Sequence, residues 1–324
     1  INKAALTATG NSTSVTYNGA NQTVSGFTVS GLQGSDTVAS LSSVAASGAT
    51  GKNAGSYTNT VTAGTETNYT VSTVNGGLTI AKAPLTVRAN DDARFVGQTD
   101  TAGYAGLSYS GLVGGETAAV LGGTATITRA SSGPDGNAAG SNGLVGTYTG
   151  ALAASGLSSN NYTISYAPGS YTVVPADQLL VKALPVSGVY GNAANYAVGT
   201  AQYLTNGNVV VNLSVAAQGN NTYVASDGVG GSATFTVSPS APALSGASQL
   251  KVGTYSLGAS NVSVTAGSNF SNTLSLVGTQ TVNPLALNAA PAVTKVYDGS
   301  TAIASQAVAV TGALANDAVQ VTGS

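Results

Sequence analysis

The sequence predicts an all-β chain built from repeated modules. Three observations carry this: short segments in which apolar and polar residues alternate, frequent Gly- and Asn-rich breaks between them, and a set of motifs that recurs in one order along the chain. Phe27 and Val29, Tyr69 and Val71, Leu213 and Val215, Phe235 and Val237, and Val262 and Val264 each alternate with polar residues, as does the segment around Ile127. Such alternation places one face in a core and the other in water. Val, Thr and Tyr suit a pleated, half-buried surface. Asn75-Gly76-Gly77, Pro134-Asp135-Gly136 and Asn206-Gly207 read as turns, because Gly and Asn tolerate positive φ. No segment shows a convincing 3.6-residue period, and many short strands with frequent turns point to sandwiches or barrels.

The recurring motifs divide the chain. A junction, Ile1-Asn2-Lys3-Ala4-Ala5-Leu6-Thr7, matches Ile80-Ala81-Lys82-Ala83-Pro84-Leu85-Thr86, with looser copies leading to Leu179 and Leu285. An aromatic-Gly turn follows each: Tyr17-Asn18-Gly19, Phe95-Val96-Gly97, Tyr190-Gly191-Asn192 and Tyr297-Asp298-Gly299. Gly55-Ser56-Tyr57, Gly146-Thr147-Tyr148 and Gly253-Thr254-Tyr255 form a third series. Asn68-Tyr69-Thr70-Val71, Asn161-Tyr162-Thr163-Ile164 and Asn269-Phe270 form a fourth. A fifth signal, Gly31-Leu32-Gln33-Gly34-Ser35-Asp36, is echoed at Gly111-Leu112-Val113-Gly114-Gly115-Glu116 and more weakly at Gly312-Ala313-Leu314-Ala315-Asn316-Asp317, and the third unit lacks it. The junction leucines at 6, 85, 179 and 285 are spaced by 79, 94 and 106 residues, so each unit is a domain and not one layer of a solenoid. The expected boundaries are 1–83, 84–176, a divergent 177–284, and a partial fourth repeat over 285–324.

Composition narrows the function. The 324 residues include no His and no Cys. Ser-His-Asp and Cys-His arrangements, thiolate or imidazole zinc sites and a disulfide framework are thereby excluded. Charged residues are 6% of the chain and the net charge is −2. Nine basic residues spread along its length form no phosphate-tracking stripe, so neither nucleic acid nor an anionic membrane surface is an expected partner. No run approaches the roughly 18 apolar residues of a spanning helix, so no membrane insertion is expected. Gly228-Val229-Gly230-Gly231 is not followed by a helical pattern and reads as a turn. Asp91-Asp92 is the only adjacent carboxylate pair and reads as the start of a turn before Phe95. Asp135 likewise reads as a turn residue and not a calcium ligand. No enzyme and no cofactor are expected. The recurring lysines, Lys3 with Lys82 and Lys52 with Lys251, read as solvated side chains. The chain opens at Ile1 and contains no Met, so any export signal is expected outside it.

Residues 84–176 resemble the glycine-rich bacterial repeat domains called MBG, through Pro84-Leu85-Thr86-Val87, Ser110-Gly111-Leu112 to Glu116-Thr117, Val145-Gly146-Thr147-Tyr148, Asn160-Asn161-Tyr162-Thr163-Ile164 and Tyr171-Thr172-Val173. Lys295-Val296-Tyr297-Asp298-Gly299-Ser300-Thr301 resembles the motif of the related YDG domain. The resemblance implies tandem repeats of a filamentous-haemagglutinin-like exoprotein, exported by an outer-membrane partner, with a role in surface or biofilm-matrix adhesion.

Together these readings predict tandem immunoglobulin-like β-sandwich modules arranged as an elongated stalk of a secreted adhesin or matrix fibre. Polysaccharide or other copies of the chain are the expected partners. The alternatives are a carbohydrate-binding module and accessory domains of a secreted glycosidase. Repeated tyrosines read as core or corner residues. A sugar-binding face should then use tyrosines outside the repeat pattern, and in the divergent third unit those are Tyr196, Tyr203 and Tyr223.

Overall fold

The computed structural model describes residues 2–129, 144–265, 269–290 and 309–319. The described residues are nearly all strand and turn, and the only helical segments among them are two single 3-10 turns, Val38–Ser40 and Ala118–Val120. The chain divides into two compact units. One comprises residues 1–86, 111–124 and 156–165, and the other residues 87–110, 125–155 and 166–324. Residues of the second repeat therefore fall in both.

The first repeat contributes β1 (Ala4–Gly10), β2 (Thr13–Thr16), β3 (Gln22–Val24), β4 (Phe27–Ser30), β5 (Val44–Ala46), β6 (Ala49–Gly51), β7 (Gly55–Asn59), β8 (Val61–Ala63), β9 (Tyr69–Val74) and β10 (Gly76–Ala81). Its two three-stranded sheets run β4-β1-β9 and β2-β10-β7. Strand β1 lies antiparallel to β4 and parallel to β9, with Leu6 opposite Val71. Strand β10 lies parallel to β2 and antiparallel to β7, with Leu78 opposite Tyr57. Leu6, Ala8, Leu78 and Ile80 are buried while the threonines between them face out, the alternation expected of half-buried strands.

Both β1→β2 and β9→β10 leave one sheet for the other, and the chain crosses itself there. A Cβ on Gly76 would lie 2.3 Å from the carbonyl oxygens of Gly10 and Asn11, so only glycine fits. Backbone groups freed at this switch meet Asn59, which is fully buried: its Nδ2 donates to the carbonyls of Asn11 and Gly26 at 3.2 and 2.9 Å, and its Oδ1 accepts from Gly48 N at 2.9 Å.

The second repeat reuses this plan with β11 (Ala83–Ala89), β12 (Asp92–Phe95), β13 (Leu107–Ser110), β14 (Gly122–Arg129), β15 (Gly146–Ser158), β16 (Tyr162–Ala167) and β17 (Gly169–Val174). Strands β12 and β17 pair in parallel, and β17 pairs antiparallel with β15. Gly169 opens β17 as Gly76 opens β10, and a Cβ there would lie 2.3 Å from the Ala89 carbonyl oxygen.

The third repeat comprises β18 (Leu179–Ala183), β19 (Val186–Val189), β20 (Val198–Leu204), β21 (Val210–Asn212), β22 (Ser214–Gly219), β23 (Thr222–Ser226), β24 (Ser232–Pro239), β25 (Gly253–Val264), β26 (Leu274–Val277) and β27 (Thr279–Asn283). The parallel pairs return as β18 with β26 and β19 with β27, and Gly278 sits at the sheet switch, where a Cβ would lie 2.8 Å from Ala183 Cβ. Where the first two repeats carry the Gly-Leu loop, this one inserts β21 to β24, and its second sheet widens to six strands, β19-β27-β25-β24-β23-β22. Its interior holds Leu179, Val181, Ala201, Phe235, Val237 and Leu257. Strand β28 (Asn288–Ala290) pairs antiparallel with β29 (Ala309–Thr311) in the fourth repeat. The predicted turns at Asp135 and at Tyr297-Asp298-Gly299 lie outside the described residues.

Candidate functional site

Two of the motifs that the sequence repeats, the aromatic-Gly turn and the acid-bearing Gly-Leu loop, join repeat to repeat. In the compact unit that holds the first repeat, Tyr17 of the aromatic-Gly turn is buried, and its hydroxyl donates to Glu116 Oε1 at 2.5 Å. Tyr162 donates to the other oxygen of the same carboxylate at 2.5 Å, and its own oxygen accepts from Val113 N at 3.1 Å. The two phenol rings meet edge to face with centroids 5.5 Å apart. Asn161 adds a further link. Its Oδ1 accepts from Ala54 N and its Nδ2 donates to Asn53 Oδ1, both at 3.0 Å. Burial raises the pKa of both phenols, and Tyr162 is pushed up to about 12, with the Glu116 carboxylate adding to the effect of desolvation.

The same joint recurs between the third and fourth repeats. Tyr190 donates to Asp317 Oδ2 at 2.5 Å, and the Tyr190 and Ser245 hydroxyls lie 2.5 Å apart. Between the second and third repeats the joint changes character. Phe95 replaces the tyrosine, and the third repeat has no Gly-Leu loop to supply an acid. Phe95 is instead sealed in an apolar cluster with Ala93, Val174, Leu180, Leu204 and Val277. Loss of the hydroxyl accompanies loss of its acceptor, as burial of an unpaired polar group would otherwise be costly.

A second device repeats within the repeats. Gly55, Gly146 and Gly253 hold φ of +155°, +153° and +152°, and two residues on a tyrosine hydroxyl donates back four residues: Tyr57 to Asn53 O, Tyr148 to Leu144 O and Tyr255 to Lys251 O, at 2.9, 2.6 and 2.8 Å. Of the two roles expected of repeated tyrosines, core or corner, these three take the corner. Lys3 and Lys82 are exposed, and their ammonium groups donate to the carbonyls of Glu66 and Ser159 at 2.7 and 2.9 Å.

The charged residues contradict the reading of Asp91-Asp92 as a turn. Both are buried, and Asp92 opens strand β12. Asp91 pairs with Arg88 at 2.8 Å and Asp92 with Lys182 at 2.7 Å. Asp100 is the hub of a neighbouring cluster: Oδ1 accepts from Arg94 Nε at 2.8 Å and Tyr171 at 2.9 Å, Oδ2 accepts from Tyr104 at 3.1 Å, and Arg129 Nε lies 3.0 Å from Oδ2 as an ion pair without hydrogen-bond geometry. The Arg129 guanidinium also sits 4.7 Å from the centroid of the Tyr171 ring. Every arginine of the chain is in these two groups. With three hydrogen-bond donors and the Arg129 ion pair on one carboxylate, the arrangement pins the loop after Phe95 to β14 and β17. Desolvation carries the Tyr104 phenol up to about 12 and raises that of Tyr171 as well. Sequence reasoning missed this cluster. The available signal was that all three arginines, rare in this chain, fall within one repeat.

The tyrosines expected to offer rings to a sugar are core residues. Tyr196, Tyr203 and Tyr223 are 9%, 7% and 8% exposed and belong to the interior of the third repeat. Tyr203 packs on Phe270 with centroids 5.5 Å apart, and Tyr223 stacks on Phe235 at 6.0 Å. The Tyr223 hydroxyl donates to the Tyr196 carbonyl, and the Tyr196 hydroxyl to Gln280 Oε1 at 2.6 Å. A ring face so covered cannot stack on a sugar. Tyr196 does edge a cleft of about 270 Å³ whose polar lining comes from Asn192, Asn221, Ser248, Gln249 and Gln280. Among the described residues there is no group of three or more acidic side chains placed to hold a metal ion. No helix of the described residues is long and apolar enough to cross a membrane.

A family model described as MBG domain (YGX type) matches residues 6–79 and 85–172. No curated protein and no solved structure matches the chain.

Proposed function

The chain belongs to the YGX-type MBG domain family, and from that premise we propose that it is a spacer region of a large secreted bacterial surface adhesin or matrix fibre, holding an adhesive domain away from the cell. The observation that carries the reading is the Tyr17–Glu116 joint, because the residues that recur from repeat to repeat are spent on joining repeats and not on an open pocket. A spacer needs defined joints more than it needs a ligand site. Low charge favours the same role, since a near-neutral surface responds weakly to salt and to charged polymers. Such a protein works at the cell surface or in the extracellular matrix, exported by an outer-membrane partner that recognises other parts of the full protein.

A titration of the full chain against bacterial matrix and host polysaccharides tests this reading. Absence of saturable binding by the folded chain is the expected result, and saturable binding would overturn it.

A second reading, a carbohydrate-binding module, draws support from the polar cleft beside Tyr196. It predicts polysaccharide binding that Gln249→Ala abolishes.

A further inference from the structure

The cleft beside Tyr196 lies between two loops of the third repeat, residues 191–194 after β19 and residues 244–250 between β24 and β25. Strand β27 contributes Gln280 and Val282, which stand two apart and so share a face. The two loops are tied together, because the Tyr190 and Ser245 hydroxyls, one beside each loop, lie 2.5 Å apart. The second loop is also closed on itself, by Ser245 N to Gln249 O at 2.8 Å and Lys251 N to Ala243 O at 2.9 Å. Asn221 is fixed as well: its Oδ1 accepts from Tyr196 N and its Nδ2 donates to Ala194 O, both at 3.3 Å. The cleft is therefore preformed, as small-molecule sites usually are.

Gln280 holds unused bonding capacity there. It is 4% exposed. Its Oε1 accepts from the Tyr196 hydroxyl at 2.6 Å, and its Nε2 has no hydrogen-bond partner among the described residues. The nitrogen is not sealed in the core, since Gln280 lines the cleft. A donor so buried is costly unless something entering the cleft supplies an acceptor.

The lining decides what enters. Besides Gln280, its polar side chains are Asn192, Asn221, Ser248 and Gln249, and none is charged. A charged ligand would lose hydration and gain no counter-charge. Amides and hydroxyls both donate and accept, which matches the hydroxyls of a sugar. Leu244, Leu250 and Val282 supply an apolar remainder for the C–H face of a ring. The volume of about 270 Å³ falls below the roughly 300–1,000 Å³ of sites for drug-sized ligands, so there is room for one ring and not for a run of a polymer. We propose that this cleft binds a single neutral sugar ring, with the Gln280 amide as its first donor. The inference rests on the cleft that supports the carbohydrate-binding reading and narrows that reading to one free ring. It is compatible with the spacer reading, which excludes only a held polymer.

Saturation-transfer NMR on the full chain tests the proposal, with glucose, galactose, mannose and N-acetylglucosamine as neutral probes and glucosamine and glucuronate as charged ones. At least one neutral ring is expected to saturate with a dissociation constant on the order of 1 mM, as suits a ligand of that size. The charged probes should bind about tenfold more weakly or worse. Gln249→Ala and Gln280→Leu should each raise the dissociation constant by about tenfold. Melting curves show whether each variant is folded. If Gln280→Leu is not, Gln249→Ala decides alone, because Gln249 is only partly buried. Failure of every neutral ring to saturate below about 100 mM overturns the proposal. Equal affinity for the charged probes, or binding that the folded variants leave unchanged, overturns it equally. Polysaccharide binding without binding of any free ring would sink this proposal and leave the carbohydrate-binding reading standing. Free rings held without any polymer would support the proposal and leave the spacer reading standing.

Discussion

The Tyr17 hydroxyl meets Glu116 Oε1 at 2.5 Å, although 99 residues separate them in the chain. Glu116 serves two tyrosines, so its loss should cost more than the loss of either phenol. Tyr17→Phe is expected to destabilise the unit by about 1.5–3 kcal/mol, the range for a hydrogen bond to a charged partner. Glu116→Ala should exceed that. Urea denaturation with a Tyr17/Glu116 double-mutant cycle checks it, and a coupling energy near zero would contradict the joint.

Phe95→Tyr is the reverse experiment. It restores the residue of the neighbouring turns, but places a hydroxyl among Ala93, Val174, Leu180, Leu204 and Val277. The expected cost is about 1–3 kcal/mol for an unpaired buried polar group. Thermal unfolding that is unchanged or raised would show an acceptor within reach.

Replacing Gly146 by Ala forces a side chain into φ of +153°, which glycine alone adopts without strain. A loss of about 1–3 kcal/mol is expected. Tyr148→Phe, which removes the exposed bond to Leu144 O and leaves the backbone intact, should cost no more than about 1.5 kcal/mol. Comparing the two melting curves separates backbone geometry from the hydroxyl.

Asp100→Leu leaves Arg94 and Arg129 buried without their shared carboxylate. A loss of about 3–5 kcal/mol is expected from breaking a buried ion group on one side. Denaturant unfolding of the variant checks this.

The phenols of Tyr104 and Tyr162 are raised from 10.0 to about 12 in the folded chain. The folded state thus keeps protons that the unfolded state gives up. Their contribution to stability is complete below pH 10 and is lost as pH rises from 10 through about 12. Tyrosinate absorbance and circular dichroism, followed together through an alkaline titration, should show ionisation and unfolding coincide over that window.

The repeats, the strand faces and the turn at Asn206-Gly207 were legible in the sequence, because alternation and turn residues are local consequences of pleat and φ. Asn75-Gly76-Gly77 is no turn: Gly76 and Gly77 open β10 without positive φ, and Gly76 is required by the close approach of Gly10 and Asn11. Tyr57, Tyr148 and Tyr255 could be read only as core or corner residues, and their hydrogen bonds back along the chain decide for the corner. The pairing of Tyr17 with Glu116 was not legible. Both stand out as repeated residues, but which repeat each one serves depends on the packing of successive modules. The clue lay in an absence, since Phe95 lacks its hydroxyl just where the next repeat lacks its acid. Burial of Tyr196, Tyr203 and Tyr223 could not be read from departure from the repeat, because the inserted strands join the repeat's own core, where Tyr223, Phe235 and Val237 pack with Leu179, Val181 and Tyr203. Asp100 and Arg129 were hidden for a different reason. Ion pairing between distant strands leaves no periodic trace.

The parallel pairing of entering and leaving strands sets how a repeat answers to traction. In the first repeat β1 lies parallel to β9 from Ala4 opposite Tyr69 to Thr9 opposite Val74, and β2 lies parallel to β10 from Thr13 opposite Leu78 to Thr16 opposite Ala81. A pull on Ala4 against Ala81 drives these strands past one another lengthwise. The evenly spaced bonds of each ladder then bear load together, in shear, where a hairpin would unzip bond by bond. Under flow the lifetime of a repeat is governed by its unfolding rate and not by its equilibrium stability. The same clamp returns in β12 with β17 and β18 with β26, so each repeat in series resists tension by its own closure.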